Sequence, residues 1–550
     1  MCINQGQNNK LRNSEVFSNT QMKNRCLIKI YATYSLYIRT NEILYKILSM
    51  EQLSNKFNSI VLSPFINRVT HQPENIAFCI DEVFYTYKDL ALEISTIRKS
   101  IQETPNITTP IGLIANDDLI TYASIWAIWL EGHAYVPLHP KQPKERNQEI
   151  IDQAKISLIL NSTSELLYDE VKSLHTSVLS KCSTEITLKK FKDSNFAYIL
   201  FTSGSTGKPK GVPISRENLA AFVTSFLSVD FQLTSNDRFL QCFDLTFDVS
   251  VQCFLIPLIK GASVFTIPHH SIKYSYVYGL LEDHQITFAT MAPSMVRYLQ
   301  PYFDELDLPA LKYSVLTAEA SYNTLIDEWS NCIPNADIYN FYGPTEGTIY
   351  CTHYKYDKNQ TNQQINGILT IGKPMNGFNT VIIDENNTII SSQEKGELCI
   401  SSPQVTNGYL SDAEKNKTSF ITLVVDGDEQ VFYKTGDICY FENNLLMYVG
   451  RADQQVKIQG YRVELSEIEF HAREGLKGKN TVAVTYTHVT QTNEIALFIE
   501  DEHVDEVALK NYLKNKLPNY MIPSKFVYQK SFPLNSNGKI DRKTLALKLT

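Results

Sequence analysis

The feature that most constrains the fold is an apolar strand that runs directly into a loop of glycine, hydroxyl and lysine residues. The strand reads Tyr-Ile-Leu-Phe at 198–201, and Gly204, Gly207 and Lys208 follow it. Glycines let backbone N–H groups turn toward an anion, and lysine adds charge. The spacing is not that of a Walker A loop, because Pro209 stands where Ser or Thr would ligate magnesium. From these residues alone, the stretch is either a phosphate-binding loop or a mobile surface loop. The candidate loop residues are Thr202, Ser203, Gly204, Ser205, Thr206, Gly207 and Lys208.

Length and charge limit the classes of protein to consider. The chain has 550 residues, of which 43% are hydrophobic, so we expect two or more domains. A net charge of −8 without a basic block argues against nucleic acid as a partner. The ten cysteines lack metal-site spacing, which predicts reduced thiols in a cytoplasmic protein.

The segment 1–49 differs from the rest of the chain. Its first part is rich in Asn, Gln and Lys, and residues 26–48 are too charged for a membrane span. No signal-peptide pattern is present, so we expect no stable membrane insertion. We expect either an extension upstream of a start at Met50 or a poorly ordered segment. The alternative is an amphipathic helix that docks on a partner or a membrane surface.

Short apolar strands alternate with amphipathic helices after this segment. Candidate strands lie at 111–114, 157–160, 287–291 and 313–317. This alternation predicts an α/β domain with a mainly parallel sheet. His133 and His139 fall within this region, and we interpret both as packing or hydrogen-bonding residues.

A carboxylate stands in an apolar run that follows the phosphate-loop candidate. On a helix, Asp248, Val249 and Gln252 share one face. A carboxylate among apolar neighbours needs a cation or hydrogen-bond donors. Asp248 is therefore a helix cap, a member of a structural ion pair, or a ligand for a cationic substrate group.

Polar groups recur at turns in the second half of the chain. The turn Gly343-Pro344 presents Tyr342, Thr345 and Glu346 together. Asp437 and Arg451 flank a strand predicted at 445–449, and the final turn presents Lys539. Each of these residues alone would be an ordinary turn or surface residue.

Together, these motifs from about residue 53 to 550 resemble the adenylate-forming superfamily. This superfamily includes acyl-CoA ligases, luciferases and the adenylation domains of non-ribosomal peptide synthetases. The resemblance implies an α/β fold with a large N-terminal domain of sheets and packed helices at 50–452. It also implies a small, mobile α+β C-terminal domain at 453–550.

The resemblance assigns a role to each motif. The loop would hold the phosphates of ATP, Tyr342 the adenine, Thr345 the α-phosphate and Glu346 a Mg²⁺ ion. Asp437 would accept hydrogen bonds from the ribose hydroxyls with Arg451 close by in the nucleotide site, and Lys539 would be the catalytic lysine. Asp453 would be the hinge between the domains, and Gly460 would line the site during thioester formation.

The resemblance also implies the reaction and its substrates. Asp248 matches the position that binds the α-ammonium group in amino-acid-activating members. We therefore expect an enzyme that forms an aminoacyl-AMP and transfers the aminoacyl group to the phosphopantetheine thiol of a carrier protein. The chain stops after the final motif, so we expect a separate carrier, as for D-alanine carrier-protein ligases or stand-alone adenylation enzymes. The alternatives are an acyl- or aryl-CoA ligase and an inactive nucleotide-binding regulator.

The same alignment of motifs gives the substrate pocket. A small, uncharged amino acid is expected, with alanine in either form and proline first, because two aromatic residues fill the pocket and no second charge lines it. The positions that match the pocket are Asp248, Val249, Gln252, Thr290, Leu316, Ala318, Phe341, Ile349 and Tyr350.

Overall fold

Residues 56–549 are described by a computed structural model, with gaps. The gaps are 109, 166, 169, 184, 193–194, 205–206, 269–270, 392, 454, 488–492, 502 and 535–539. The expectations for 1–49, Ser205, Thr206 and Lys539 therefore lie outside the described residues.

Apolar strands of the large N-terminal part form a nine-stranded sheet. Its central strands, from Ile76–Ile80 to Asp337–Tyr342, run parallel, and antiparallel strands close both edges. Both faces of these central strands are covered, which explains why their sequences are continuous apolar runs. In spatial order the strands are Lys373–Pro374, Thr352–Tyr356, Asp337–Tyr342, Tyr313–Leu316, Phe288–Met291, Arg238–Gln241, Ser263–Thr266, Ile76–Ile80 and Val83–Thr86.

A six-stranded sheet holds the candidate phosphate loop. The loop connects its last two strands, Phe196–Thr202 and Lys210–Ser215, which are antiparallel. The other neighbouring strands are parallel. In spatial order the strands are Lys172–His175, Leu158–Asn161, Ile111–Ile114, Tyr135–Leu138, Phe196–Thr202 and Lys210–Ser215.

Helices pack between these two sheets and on their outer faces. In the helix Leu119–Leu130 every residue except Ile120 is buried, as expected for a helix covered on all sides. One core cluster contains residues of this helix and of both sheets. Ser215 caps the next helix through a reciprocal pair of hydrogen bonds with Asn218. The helices of this part are Ser63–His71, Tyr87–Glu103, Leu119–Leu130, Lys144–Ala154, Arg216–Leu227, Asp248–Lys260, Lys273–Asp283, Pro293–Leu299, Asn323–Cys332 and Ala413–Ser419.

A five-stranded antiparallel sheet completes the large part. Its strands are Asn379–Ile383, Gly396–Ser401, Phe420–Val425, Asp428–Glu442 and Leu445–Arg451. Leu398 and Tyr433 of this sheet join the core that the two parallel sheets share. Asp437 and Arg451 are paired in register on neighbouring strands, so the sheet itself brings these two side chains together.

The C-terminal part has its own core. The hairpin Gln455–Ile458 and Tyr461–Glu464 leads into the three-stranded sheet Thr481–Thr487, Asn493–Glu500 and Lys525–Gln529. Two helices, Leu465–Gly475 and Glu506–Lys516, pack on one face of that sheet, and Arg542–Leu547 packs on the other. The mixed α/β class with a smaller C-terminal part is as predicted. Within the described part of the chain, none of the helices combines the length and the hydrophobicity that crossing a bilayer requires.

Candidate active site

The candidate phosphate loop has the features of an anion-binding turn. A Cβ on Gly204 would lie 2.1 Å from the carbonyl oxygen of Lys208, so only glycine fits this close backbone approach. The Thr202 hydroxyl is buried and makes no hydrogen bond with the described residues. Lys208 is exposed. The loop thus offers backbone donors and a spare hydroxyl of the kind that bind phosphate.

A large cavity of about 660 Å³ opens beside Tyr342, Asp437 and Arg451. The Tyr342 hydroxyl donates a hydrogen bond to Asp437. Arg451 donates to the other oxygen of Asp437 over 3.1 Å and also pairs with Asp453. Burial lowers the pKa of Arg451, but its bonds to Asp453 and Asp437 raise it above its ordinary value. The cavity therefore has an aromatic wall and a fixed carboxylate at one end.

Glu346 is the most enclosed carboxylate of the site. It follows the strand Asp337–Tyr342 on a short 3-10 turn, Thr345–Gly347, and its exposure is 0%. Arg462 Nη1 donates to Oε2 over 2.8 Å, and the Tyr409 hydroxyl donates to Oε1 over 2.6 Å. Lys210 Nζ lies 3.7 Å from Oε1. Burial alone would raise the pKa of Glu346, but the Arg462 and Lys210 charges and the Tyr409 bond hold it well below its usual range.

Asp248 begins the buried helix Asp248–Lys260 and is 7% exposed. Burial raises its pKa to about 6, although a hydrogen bond from Thr345 opposes this shift. No ion pair among the described residues includes Asp248. Its carboxylate therefore remains available to a cation inside the protein.

Gln252 lies one turn further along the helix and is fully buried. Its Oε1 accepts from the hydroxyls of Thr290 over 3.0 Å and Tyr350 over 3.4 Å. Its Nε2 makes no hydrogen bond with the described residues. The ring centroids of Phe341 and Tyr350 are 4.9 Å apart. Ile349, the residue before Tyr350, is also buried. These buried side chains cluster near the Asp248 end of the helix, where the sequence analysis expects the amino-acid pocket.

Two pocket positions inferred from the sequence are corrected by the structure. In the parallel sheet Val315 is in register with Thr290, and Leu316 with Met291. Since successive residues of a strand face opposite ways, Val315 shares the pocket face and Leu316 packs in the core on the other side. The pocket position assigned to Leu316 is therefore wrong by one residue.

The pocket position assigned to Ala318 is also one residue too far along the chain. It has φ +70° and lines the large cavity beside Tyr342, together with Glu319 and Ala320. Thr317, one residue earlier, lies close enough to the Tyr350 hydroxyl to lower the pKa of Tyr350, against the larger rise that burial causes. Val315 and Thr317 thus take the places that the sequence assigned to Leu316 and Ala318.

Gly460 lies at the site in this arrangement of the C-terminal part. Its N–H donates to Glu319 Oε1 over 2.5 Å, and its φ is +82°. A second cavity, of about 260 Å³, lies between Gly460 and Phe247, the residue before Asp248. This cavity also reaches Tyr274, which is 45% exposed. The cavity therefore extends from an exposed residue to Gly460 and to the residue that precedes Asp248.

Further residues of the C-terminal part contact the phosphate loop, and the sequence analysis did not assign them. Ser203 Oγ donates to the carbonyl of Arg462 over 2.9 Å and accepts from the N–H of Glu464 over 3.1 Å. Gly204 N–H donates to Glu467 Oε2 over 3.2 Å. Arg462 follows directly after Gly460-Tyr461 in the sequence, but only the folded chain brings it to Glu346.

Two comparisons with known proteins, one with a family profile and one with a similar enzyme, establish the family of this chain. The profile of AMP-binding enzymes matches residues 65–410. A D-alanine--D-alanyl carrier protein ligase of Bacillus cereus is 33% identical over 499 residues, covering 87% of this chain and 97% of that protein. The chain is an AMP-binding enzyme of the adenylate-forming superfamily.

Other relatives of this AMP-binding enzyme agree with that assignment. A linear gramicidin synthase from Brevibacillus parabrevis is 30% identical over 492 residues, which cover 88% of this chain and 9% of that protein. The adenylation domain AlmE of Vibrio cholerae, solved with glycyl-adenosine-5'-phosphate, has a TM-score of 0.78 at 23% identity. That match covers 88% of this chain and 97% of AlmE. The predicted superfamily and fold class are confirmed.

Proposed function

We propose that this enzyme activates a small, uncharged amino acid as its adenylate and transfers it to the phosphopantetheine thiol of a carrier protein. The single observation that carries the proposal is Asp248, a buried carboxylate without an ion pair among the described residues. An amino acid brings the cation that such a carboxylate needs, whereas a fatty or aryl acid does not. The D-alanyl carrier protein ligases, about a third identical over almost their full length, support the same substrate class.

The nucleotide would lie in the large cavity. Tyr342 supplies an aromatic face for the adenine, and Asp437 supplies an acceptor for the ribose hydroxyls. The α-phosphate would then lie between the phosphate loop and Thr345. In this pose the amino-acid carboxylate attacks the α-phosphorus and pyrophosphate leaves. Catalysis is positioning and charge stabilisation, and no protein nucleophile is needed.

Glu346 fits the role of a Mg²⁺ ligand. The described residues contain no cluster of three or more His, Cys, Asp or Glu that would form an all-protein metal site. Mg²⁺ in nucleotide sites is typically held by one or two carboxylates together with phosphate oxygens, and a single buried Glu meets that requirement. The buried Thr202 hydroxyl also lacks a hydrogen-bond partner among the described residues, and a bound phosphate would supply one. When bound, the ion would offset the charge of the phosphates.

The pocket beyond Asp248 limits the size of the amino acid. Phe341 and Tyr350 fill volume, and Val315 and Thr317 line the remaining wall. Gln252 and Thr290 are polar but uncharged, so a charged side chain would find no counter-charge. We infer glycine, alanine in either form, serine or proline as the candidate substrates, with alanine first.

The second step would use the cavity at Gly460. A pantetheine arm that enters beside Tyr274 would pass Gly460 and reach the carbonyl held near Asp248. The thiol then attacks that carbonyl, AMP leaves, and the aminoacyl group becomes a thioester. For the first step, a turn of the C-terminal domain about Asp453 would offer Lys539 to the substrate carboxylate instead.

Amino-acid-dependent exchange of pyrophosphate into ATP tests this function. The panel contains both enantiomers of alanine with glycine, serine, proline, lysine and glutamate, and acyl and aryl acids test the CoA-ligase alternative. We expect exchange with a small, uncharged amino acid, and its loss in Asp248→Ala. Strong exchange with lysine or glutamate alone would refute the substrate class. Exchange with acyl or aryl acids alone would favour a CoA ligase, and none at all would favour a nucleotide-binding regulator.

A further inference from the structure

The C-terminal part places an anion, Glu467, against the phosphate loop and a cation, Arg462, against Glu346. Arg462 lies on the strand Tyr461–Glu464, and Glu467 lies in the first turn of the helix Leu465–Gly475 that follows. Glu467 is fully buried and Arg462 is 15% exposed. Both side chains make their charged contacts with the large N-terminal part of the chain.

Glu467 contacts two donors of the kind that bind phosphate. Its Oε2 accepts from the N–H of Gly204 in the loop over 3.2 Å. Its Oε1 accepts from Arg146 Nη1 over 2.5 Å, and Arg146 is itself buried. A glycine-loop N–H beside a buried guanidinium is an anion site, and here a carboxylate occupies it.

Arg462 contacts the proposed metal ligand. Its Nη1 lies 2.8 Å from Glu346 Oε2. Glu346 is fully enclosed, so a positive charge must remain beside it whenever its carboxylate is ionised. Lys210 lies near the other oxygen, and in this orientation the guanidinium of Arg462 adds a second positive charge where a divalent cation would otherwise supply it.

We propose that Glu467 and Arg462 are an internal mimic of magnesium pyrophosphate. Glu467 takes the place of a phosphate at Gly204 and Arg146, and Arg462 takes the place of the metal at Glu346. The inference rests on the proposed function, because it takes Glu346 as the Mg²⁺ ligand. It adds Arg146 as a residue that holds pyrophosphate when Glu467 has moved away.

The mimic explains how the order of the two steps is enforced. Magnesium pyrophosphate and the Arg462–Glu467 contacts cannot share one site, so the product must leave before the C-terminal part takes this orientation. Its departure would leave Arg146 without the anion that it held, and Glu346 would keep Lys210 but lose the charge of the metal, which is costly for buried ions. When Arg462 and Glu467 move in, they supply the missing counter-charges. The orientation in which Gly460 lines the thiol path is thereby favoured.

A competition measurement tests the mimic directly. Methylenediphosphonate with Mg²⁺ is titrated into enzyme saturated with AMP, and binding is followed by calorimetry. We expect Glu467→Gln and Arg462→Met each to bind the diphosphonate about tenfold more tightly than wild type, because an internal competitor has been weakened. Glu474→Gln is the matched control, since it makes the same change at an exposed site on the same helix and should leave the affinity unchanged.

Arg146 is tested on the Glu467→Gln background. We expect the gain in affinity to disappear in Arg146→Met/Glu467→Gln, because Arg146 would then hold the diphosphonate. A gain that persists in the double variant overturns the assignment of Arg146. Wild-type affinity in both Glu467→Gln and Arg462→Met overturns the mimic, because simple interdomain ion pairs would not compete with the ligand.

The proposed function and the mimic can fail separately. Exchange is measured on the same preparations, and circular dichroism checks that each variant is folded. Unchanged diphosphonate affinity in an exchange-active enzyme overturns the mimic alone. If no amino acid supports exchange, the proposed function fails, whereas tighter diphosphonate binding by both variants would still support the mimic.

Discussion

The side chain of Lys457 lies over the ring of Tyr342, with Nζ 5.9 Å from the ring centroid. Lys457 belongs to the hairpin that also carries Gly460, and Tyr342 belongs to the last parallel strand before Glu346. The hairpin therefore covers the large cavity beside Tyr342 in this orientation. Asp541 and Arg542, which lie two and three residues after Lys539, instead contact Pro533, Glu469 and Ala483 of the C-terminal part itself. The arrangement fits the second reaction step better than the first.

Lys539→Ala should separate the two steps. We expect it to lower amino-acid-dependent exchange by about two orders of magnitude or more, since it would remove the charge that stabilises the developing phosphate negative charge. Transfer from a supplied aminoacyl-adenylate to the carrier should fall far less, because another orientation of the domain performs it. Exchange and carrier loading are assayed in parallel. Equal losses in both assays would contradict the alternation of domains.

Gly460→Leu should have the opposite effect. A side chain there would project toward the cavity beside Ala292 and obstruct the thiol path, so loading should fall more than exchange. Because Gly460 has φ +82°, leucine also strains the backbone, and a control is needed. Gly478→Leu provides it, since Gly478 has φ +93° in the same part of the chain with nothing within 4 Å of a Cβ. If both variants lose loading equally, strain rather than obstruction is the cause.

The raised pKa of Asp248 predicts how activity depends on pH. Only the ionised carboxylate pairs with an α-ammonium group, so kcat/KM for the amino acid should fall as the pH drops through about 6. The same shift predicts an effect on stability. A carboxyl whose pKa is higher in the folded state destabilises that state progressively as the pH rises from its ordinary pKa of 3.8 to the folded-state value of about 6.

Asp248→Asn tests the stability effect. Two pKa units correspond to about 3 kcal/mol, so the variant should be more stable than wild type at pH 8 by up to about this amount, and the difference should vanish near pH 3. Thermal unfolding without substrate, compared at the two pH values, measures it. A constant difference between variant and wild type at every pH would show that the carboxyl does not titrate as described.

The corrected pocket makes a prediction about selectivity. Val315→Ala enlarges the pocket face, so it should increase exchange with valine or leucine relative to alanine. Leu316→Ala removes a core side chain on the other face of the sheet. It should cost about 2–5 kcal/mol of stability and leave the preference among amino acids unchanged. The ratio of kcat/KM values is the measurement, and a shift in preference with Leu316→Ala would contradict the assignment of faces.

The sequence predicted local structure and failed at details that depend on register. The strands expected at 157–160, 287–291 and 313–317 are present as Leu158–Asn161, Phe288–Met291 and Tyr313–Leu316. A one-residue slip in the pocket assignment moved Leu316 to the wrong face, because the side-chain period of a strand is two. Motif spacing fixes such a position only to within a residue, whereas pairing with Thr290 fixes it unambiguously.

The charged contacts between the large N-terminal part and the C-terminal part could not be predicted from the sequence, and the reason is different. Arg462 lies 116 positions from Glu346 along the chain, and Glu467 lies 321 positions from Arg146. Neither residue of a pair carries a local signal that identifies the other. Their proximity depends on the orientation of the C-terminal part, which the sequence motifs do not specify.

The most direct test of the central claim is the intact mass of a phosphopantetheinylated carrier protein after incubation with the enzyme, ATP, Mg²⁺ and one amino acid at a time. We propose that Asp248 pairs with the α-ammonium group of the substrate and that the rest of the pocket is small and carries no charge. The carrier should therefore gain one aminoacyl group with alanine or another small amino acid. The gain should be lost on treatment with hydroxylamine, which cleaves thioesters, and it should be absent with lysine or glutamate. A carrier that stays unmodified with every amino acid, while CoA is acylated by a fatty or aryl acid, would contradict the account.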